Sequence, residues 1–277
     1  MNESGILRSH SLLHILKMLK QSLIKMTLLS LLLALTACDN APQSETKTTA
    51  HTNPQLPDFA AFQDVKEKKR AFFGFLKPLI AQANKDVLLE RNTIEILSKK
   101  AELDETEQKT LKALLKKYRV KASDKAQQFT ELSQKVHIIP PSLVLAQAAN
   151  ESAWGTSRFA KQGNNLFGQW CFSKGCGLVP TSRNSGASHE VAKFDSPYGS
   201  VVSYIRNLNS HPSYAELRQL RMQELNDKNN STGMTLAAGL LKYSERGEEY
   251  VKEIRAMIRH NKLAEYDEPQ DKEQPQG

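Results

Sequence analysis

The sequence predicts a mainly helical α+β chain in which a helical arm precedes a domain of short helices with one small β-hairpin. Three observations lead there. Apolar residues recur at helical spacing from Phe59 onward, and one turn-rich segment near Gly186 lies between two stretches of strand character. The 277 residues are also 39% hydrophobic and 25% charged, which is enough apolar content to bury a core. A multi-pass membrane protein is excluded, since the only long apolar run, Met26 to Ala37, is too short to span a bilayer.

That run belongs to the first element. Lys17, Lys20 and Lys25 precede it and Leu35-Thr36-Ala37-Cys38 ends it, the order of a secretory signal. Its ending resembles the bacterial lipobox. Residues 1–38 are therefore expected to be a signal peptide with Cys38 as the lipidated residue and membrane anchor. Residues 39–57, rich in Thr, Gln, Asn and Pro, suit a flexible tether. The expected location is the periplasmic side of a Gram-negative membrane. Asp39, next to the anchor, resembles the signal that keeps lipoproteins on the inner membrane.

The formal net charge is +8, and the first 38 residues carry four basic and one acidic residue, leaving +5 for the mature chain. The excess is local: Lys66 to Lys125 holds sixteen Lys/Arg against nine Asp/Glu, whereas Ala126 to the end holds seventeen against sixteen. For an exported lipoprotein, anionic headgroups or the carboxylate-rich cell wall are better counter-charges than nucleic acid, which is not expected as a partner. A solvated helix surface explains the same charge equally well, and a protein partner of the arm is left open.

The helical arm is assigned to residues 58–123. Phe59, Phe62, Phe73 and Leu76 fit an amphipathic helix that Pro78 should interrupt or kink, and Ile80, Ala83, Val87, Ile94, Leu97 and Ala101 continue the seam. Asp104-Glu-Thr-Glu107 reads as a capping box before Leu111, Leu114, Leu115 and Tyr118. Ser123-Asp124 opens the next helix, with Phe129, Leu132 and Val136. The arm is expected to pack on, or hinge against, a domain over residues 124–263.

In that domain Pro140-Pro141-Ser142 starts a short, unusually apolar helix in which Glu151 is the only charge and which Gly155 should end. Leu178 to Arg183 and His189 to Phe194 flank the turn and make the hairpin. Helices follow from Ser196-Pro197 through Leu208, from Ser213 through Met222, from Thr235 to Tyr243 and from Gly247 to Asn261, the last carrying Tyr250, Val251, Ile254, Met257 and Ile258. Residues 264–277 are acid-, Gln- and Pro-rich and are expected to be disordered.

Two cysteines remain, Cys171 and Cys176, in a short loop of a chain bound for an oxidising compartment, so a disulfide is expected. A Cys-x4-Cys pair offers too few ligands for a closed zinc site, and only the fold could recruit His189 or His211. No metal and no cofactor are expected.

Glu151 lies seven residues after Val144, four after Gln147 and three after Ala148, on a stripe of small apolar side chains near a helix C-terminus. Burial and the negative end of the helix dipole both favour the protonated acid. A carboxylic acid that keeps its proton near neutral pH is what glycoside cleavage asks of the group that protonates the leaving oxygen. A buried glutamate bonded to a structural partner is the competing reading. Trp154, Phe159, Phe167 and Trp170 follow with Asn164-Asn165, rings and amides suited to sugar faces and N-acetyl groups, although core packing explains some of them too.

These residues carry a resemblance. Ala148-Ala-Asn-Glu-Ser-Ala-Trp-Gly155 followed by Gly163-Asn-Asn-Leu-Phe-Gly168 looks like the signature of the glucosaminidase-type peptidoglycan hydrolases, glycoside hydrolase family 73. The match runs from His137 to about Asn261, through His189-Glu-Val-Ala-Lys-Phe194 and Leu240-Leu-Lys-Tyr-Ser-Glu-Arg-Gly247, and is strongest with the Bax-type branch of that family. The resemblance implies a lysozyme-like domain that cuts β-1,4 glycan bonds of peptidoglycan as an endo-β-N-acetylglucosaminidase, with Glu151 as the catalytic acid. It implies Glu190 as the second acidic group, with Asp195 in reserve, and Tyr243 as the tyrosine facing the acid. Trp154, Asn165, Phe167 and Trp170 would bind substrate. A muramidase or lytic transglycosylase on the same glycan, and a non-catalytic glycan-binding scaffold, are the alternatives.

Overall fold

A computed structural model describes residues 54–181, 186 and 188–267. The expected signal peptide, Cys38 and most of the tether lie outside the described residues, as do most of the hairpin turn and residues 268–277. Among the described residues, no helix is long and apolar enough to cross a membrane.

The arm begins with a 3-10 turn at Phe59–Ala61 and then α1 (Val65–Ser98). Asp64 starts α1 by accepting a 2.7 Å bond from the Glu67 amide, which satisfies one of the amides a helix start leaves open. Of the two outcomes expected at Pro78, interruption does not occur: α1 passes through Pro78 without ending. Pro78 and Gly74, the residue four back whose carbonyl loses its amide partner, are both exposed, so that carbonyl lies on the solvent side of the helix, where its loss is cheapest. The buried face of α1 includes Phe72, Leu76, Ile80, Ala83, Val87, Ile94 and Leu97, close to the seam read from spacing, while Phe59, Phe62 and Ala101 fall outside the helix. The capping box is present: Asp104 accepts from the Glu107 amide at 2.9 Å, and Glu107 accepts from the Asp104 amide at 3.1 Å, opening α2 (Glu105–Lys117). Asp124 caps α3 (Lys125–Lys135) by accepting from the Gln127 amide at 2.9 Å.

The arm is packed on the rest of the chain. Helix α1 lies against α4 (Pro141–Glu151) and α6 (Pro197–Ser210). Asn84 and Ile139 exchange two buried bonds, Asn84 Nδ2 donating to the Ile139 carbonyl at 2.9 Å and the Ile139 amide donating to Asn84 Oδ1 at 3.1 Å. Leaving such a pair unmade costs about 1–3 kcal/mol for each buried group. Arg91 of α1 donates to the carbonyls of Ser133 and Val136. Arg221, fully buried on α7 (Ala215–Lys228), donates to Gln134, Lys135 and Asn209 Oδ1. Burial pushes its guanidinium down to about 9. Two arginines thus occupy carbonyls at the end of α3 and fix where α4 begins.

Residues 142–149 of α4 are all buried, which explains its unusual apolarity. It ends at Glu151, earlier than Gly155 suggested. Ser152 takes over, donating to the Ala148 carbonyl and accepting from the Gly155 amide, and Ala153 and Trp154 turn back with positive φ. After α5 (Arg158–Gly163) comes a three-stranded antiparallel sheet, where the sequence reading had two strands. β1 (Trp170–Cys171), β2 (Gly177–Leu178) and β3 (Glu190–Ala192) have the order β1-β3-β2, with Trp170 opposite Val191 and Gly177 opposite Ala192. The strands are shorter than Leu178 to Arg183 and His189 to Phe194. A Cβ at Gly177 would stand 2.0 Å from the Val191 carbonyl, so this close pairing requires glycine.

The remaining helices enclose α4. α7 starts after a 3-10 turn at Pro212–Tyr214, two residues later than expected, and runs on to Lys228. In place of a helix over Thr235 to Tyr243 there are α8 (Gly233–Leu236) and a 3-10 turn at Ala237–Leu240. α9 (Glu248–His260) buries Tyr250, Val251, Ile254 and Ile258. Disorder does not begin at residue 264: Leu263–Tyr266 is a 3-10 turn, and the buried Asp267 accepts bonds from the amides of Ser142 and Gly233. Composition missed this because one buried carboxylate anchors an otherwise polar segment.

Candidate active site

Glu151 sits at the end of α4, partly buried. Burial is the largest influence on its carboxyl and raises the pKa above the ordinary glutamate value. Bonds from Tyr250 and Asn150 and the charge of Arg246 pull it down, and Glu253 adds a further rise. The acid therefore holds its proton to higher pH than an exposed glutamate. Tyr250 of α9 donates to Oε1 at 2.8 Å. On the other side the chain passes Gly168, whose φ of +63° suits glycine and where a Cβ would stand 3.5 Å from Oε2. One oxygen is thus held by a tyrosine while the other faces a backbone stripped of side chain.

A tyrosine cluster backs the acid. Tyr250 stacks on Tyr243 at 5.5 Å and 5°, and Tyr243 meets Tyr204 edge-on and lies 6.1 Å from Tyr214. The tyrosine bonded to Glu151 is Tyr250, which the sequence reading placed only among apolar helix positions. The expected Tyr243 instead donates to the Phe167 carbonyl at 2.8 Å, pinning the loop that leads to Gly168. Both aromatics sit near the acid, and only the fold decides which hydroxyl reaches it.

The residues expected to bind substrate divide. Asn165 is buried with every polar atom engaged: Nδ2 donates to the carbonyls of Gln169 and Ala192, and Oδ1 accepts from the amides of Phe167 and Gln169. It shapes the loop and offers no amide to a ligand. Phe167 is buried and stacks on Tyr204 at 4.1 Å. Trp154 turns toward the arm, edge-on to Phe72 and Phe73 with Lys69 above its ring, so it joins arm to domain. Trp170 alone matches the expectation of an available ring: it is 58% exposed, stacks on His189 at 4.0 Å, and follows Gly168 by two residues.

Glu190 is 6% exposed, and its two oxygens accept the amides of Gly175 and Gly177 at 2.9 and 2.8 Å. These bonds brace the loop that the Cys171–Cys176 disulfide closes. Glu190 and the two sulfurs lie within 4.8 Å of one another, but the sulfurs are spent on each other and are not thiolate ligands. His189 and His211 have other contacts: His189 stacks on Trp170, and His211 accepts from the Ser213 amide. Asp195 is exposed just before Ser196, the N-cap of α6.

Residues 126–263 match the glucosaminidase family, described as mannosyl-glycoprotein endo-beta-N-acetylglucosaminidase. The chain is 33% identical over 208 residues to protein bax of Escherichia coli K12, which spans 74% of each protein. The catalytic domain of the autolysin Auto from Listeria monocytogenes aligns with a TM-score of 0.36 at 21% identity, covering 65% of this chain and 97% of that one.

Proposed function

Because the chain belongs to the glucosaminidase family of glycoside hydrolases, we propose that it is an endo-β-N-acetylglucosaminidase cutting β-1,4 bonds of peptidoglycan glycan strands, with Glu151 as general acid. The observation that carries this reading is the Glu151 carboxyl, whose pKa burial raises above the ordinary glutamate value, with Oε1 bonded to Tyr250 and Oε2 beside Gly168. Protonation of the glycosidic oxygen by Glu151 lets the leaving sugar depart as an alcohol while positive charge develops at the anomeric carbon. The Tyr250 hydroxyl then stabilises the carboxylate that is left. Trp170 offers a flat exposed face on which a sugar ring can stack.

For the second step, the bracing of Glu190 by two amides favours the substrate's own N-acetyl oxygen as the group that closes on the anomeric carbon. Water then opens that ring and returns a proton to Glu151. We assign Glu190 to the loop and not to water activation. The location follows the signal pattern: Cys38 is the lipid anchor, and Asp39 favours the inner membrane. Membrane fractionation of wild type, Cys38→Ala and Asp39→Ser checks both.

The deciding experiment is mass analysis of fragments released from purified sacculi, with Glu151→Gln as control. Reducing-end N-acetylglucosamine is expected. Reducing-end muramic acid or its anhydro form would replace this reading with a muramidase or a transglycosylase, and binding without any release would make the chain a glycan-binding scaffold.

A further inference from the structure

Gln147, four residues before Glu151 and fully buried on the same face of α4, takes no part in the chemistry above. Its amide joins two tyrosines. Tyr204 of α6 donates its hydroxyl to Gln147 Oε1, and Gln147 Nε2 donates to the Tyr250 oxygen at 2.8 Å. Tyr250 in turn donates to Glu151 Oε1. A hydroxyl has one hydrogen, and an amide has one acceptor end and one donor end, so the chain Tyr204, Gln147, Tyr250, Glu151 runs in a single direction.

We propose that Gln147, held by Tyr204, is a positioning residue that aims the Tyr250 hydroxyl at Glu151 Oε1 and thereby keeps the acid proton on Oε2. The inference rests on Glu151 being the acid. An oxygen that already accepts the Tyr250 hydrogen is the poorer place for the carboxyl's own proton, which therefore resides on the oxygen beside Gly168, a residue with no side chain to cover it. Were the amide reversed, Gln147 Oε1 would take the Tyr250 hydrogen. Glu151 would then hand its proton inward to the Tyr250 oxygen instead of outward to a substrate. Tyr204 prevents that turn because its only hydrogen is committed to the acceptor end, and its ring is fixed by the stack on Phe167. Buried chains of this kind strengthen one another, by about 10–30% per bond.

Among the described residues, the other groups that act on Glu151 are these. Arg246 and Glu253 lie on the α9 side with opposite effects and pair with each other, Asn150 comes from α4 itself, and Tyr204, Tyr214 and Tyr243 complete the surround. Burial holds those three tyrosines neutral, each pKa raised.

Tyr204→Phe tests the inference, because it keeps the ring stacked on Phe167 and removes only the hydroxyl that orients the amide. The measurement is the pH profile of kcat and KM on soluble glycan fragments, beside Tyr250→Phe and Glu151→Gln. Tyr204→Phe should lower kcat about three- to tenfold with KM unchanged, a part of the about 10²- to 10⁴-fold that a general acid contributes. It should also move the alkaline limb upward by a few tenths of a pH unit, in the direction of the larger Tyr250→Phe effect. A Tyr204→Phe enzyme with wild-type kcat and limb, while Glu151→Gln is inactive, overturns the relay and leaves the acid in place. An active Glu151→Gln enzyme removes the premise itself.

Discussion

Asp267 holds Ser142 from 125 residues away along the chain. Its carboxylate accepts both the amide and the hydroxyl of Ser142 in the first turn of α4, and also the amide of Gly233. Helix α4 has Pro140 at its N-cap and no local side-chain cap, so the end of the described chain supplies one. The helix that ends at the acid is thus anchored at its other end by a residue that the sequence leaves in a polar tail.

Asp267→Ala should destabilise the protein by about 1–3 kcal/mol, the cost of losing a cap and stranding buried donors. Urea unfolding measures it. A change below about 0.5 kcal/mol, the scale of an ordinary surface substitution, would contradict the anchoring role.

Glu151 should cost stability at neutral pH. Its folded pKa is raised, chiefly by burial, so between the unfolded pKa and that higher value the folded state binds more protons and stability falls as pH rises. Below the unfolded pKa the penalty is absent. Glu151→Gln should therefore abolish sacculus digestion while melting at least as high as wild type at neutral pH, with the difference shrinking as the solution is acidified. Melting curves at several pH values test the sign, and a variant that melts lower throughout would show that the carboxylate is well solvated.

The two tryptophans separate by role. Trp154→Ala removes the half-buried ring against Phe72 and Phe73 and should cost about 2 kcal/mol or more, somewhat below the about 3–5 kcal/mol of a fully buried aromatic. Trp170→Ala acts on an exposed ring and should change stability by less than about 0.5 kcal/mol while raising KM. Equal losses of stability would refute the distinction.

Glu190→Gln discriminates brace from base. A brace deprived of one acceptor should loosen the loop, so trypsin should cut at Lys174 faster than in wild type, and activity should fall in proportion to that opening. Lost turnover with unchanged cleavage at Lys174 would return Glu190 to the chemistry.

Much of the fold was legible because it rests on local rules. The 3.6-residue period marked α1 to α3, the Asp104 and Glu107 pair marked its own capping box, and Ser196-Pro197 marked the start of α6. Spacing left open whether Pro78 interrupts or only kinks α1, because its cost depends on whether the orphaned carbonyl is open to solvent, which is a matter of tertiary exposure. β1 was missed because two residues carry no period, and its pairing with Val191 exists only across the sheet.

What the sequence determined by itself is the helical frame, the placing of one carboxyl on an apolar stripe, and the cysteine pair, each set by neighbours within a few residues. Only the tertiary structure decided that Tyr250 and not Tyr243 reaches Glu151, that Asn165 and Glu190 spend their polar atoms on backbone, and that Trp154 faces the arm. The reason is common to all of them. A hydrogen bond reaches about 3 Å and one direction, so which of several suitable side chains makes it depends on where distant helices come to rest, and spacing along the chain does not contain that information.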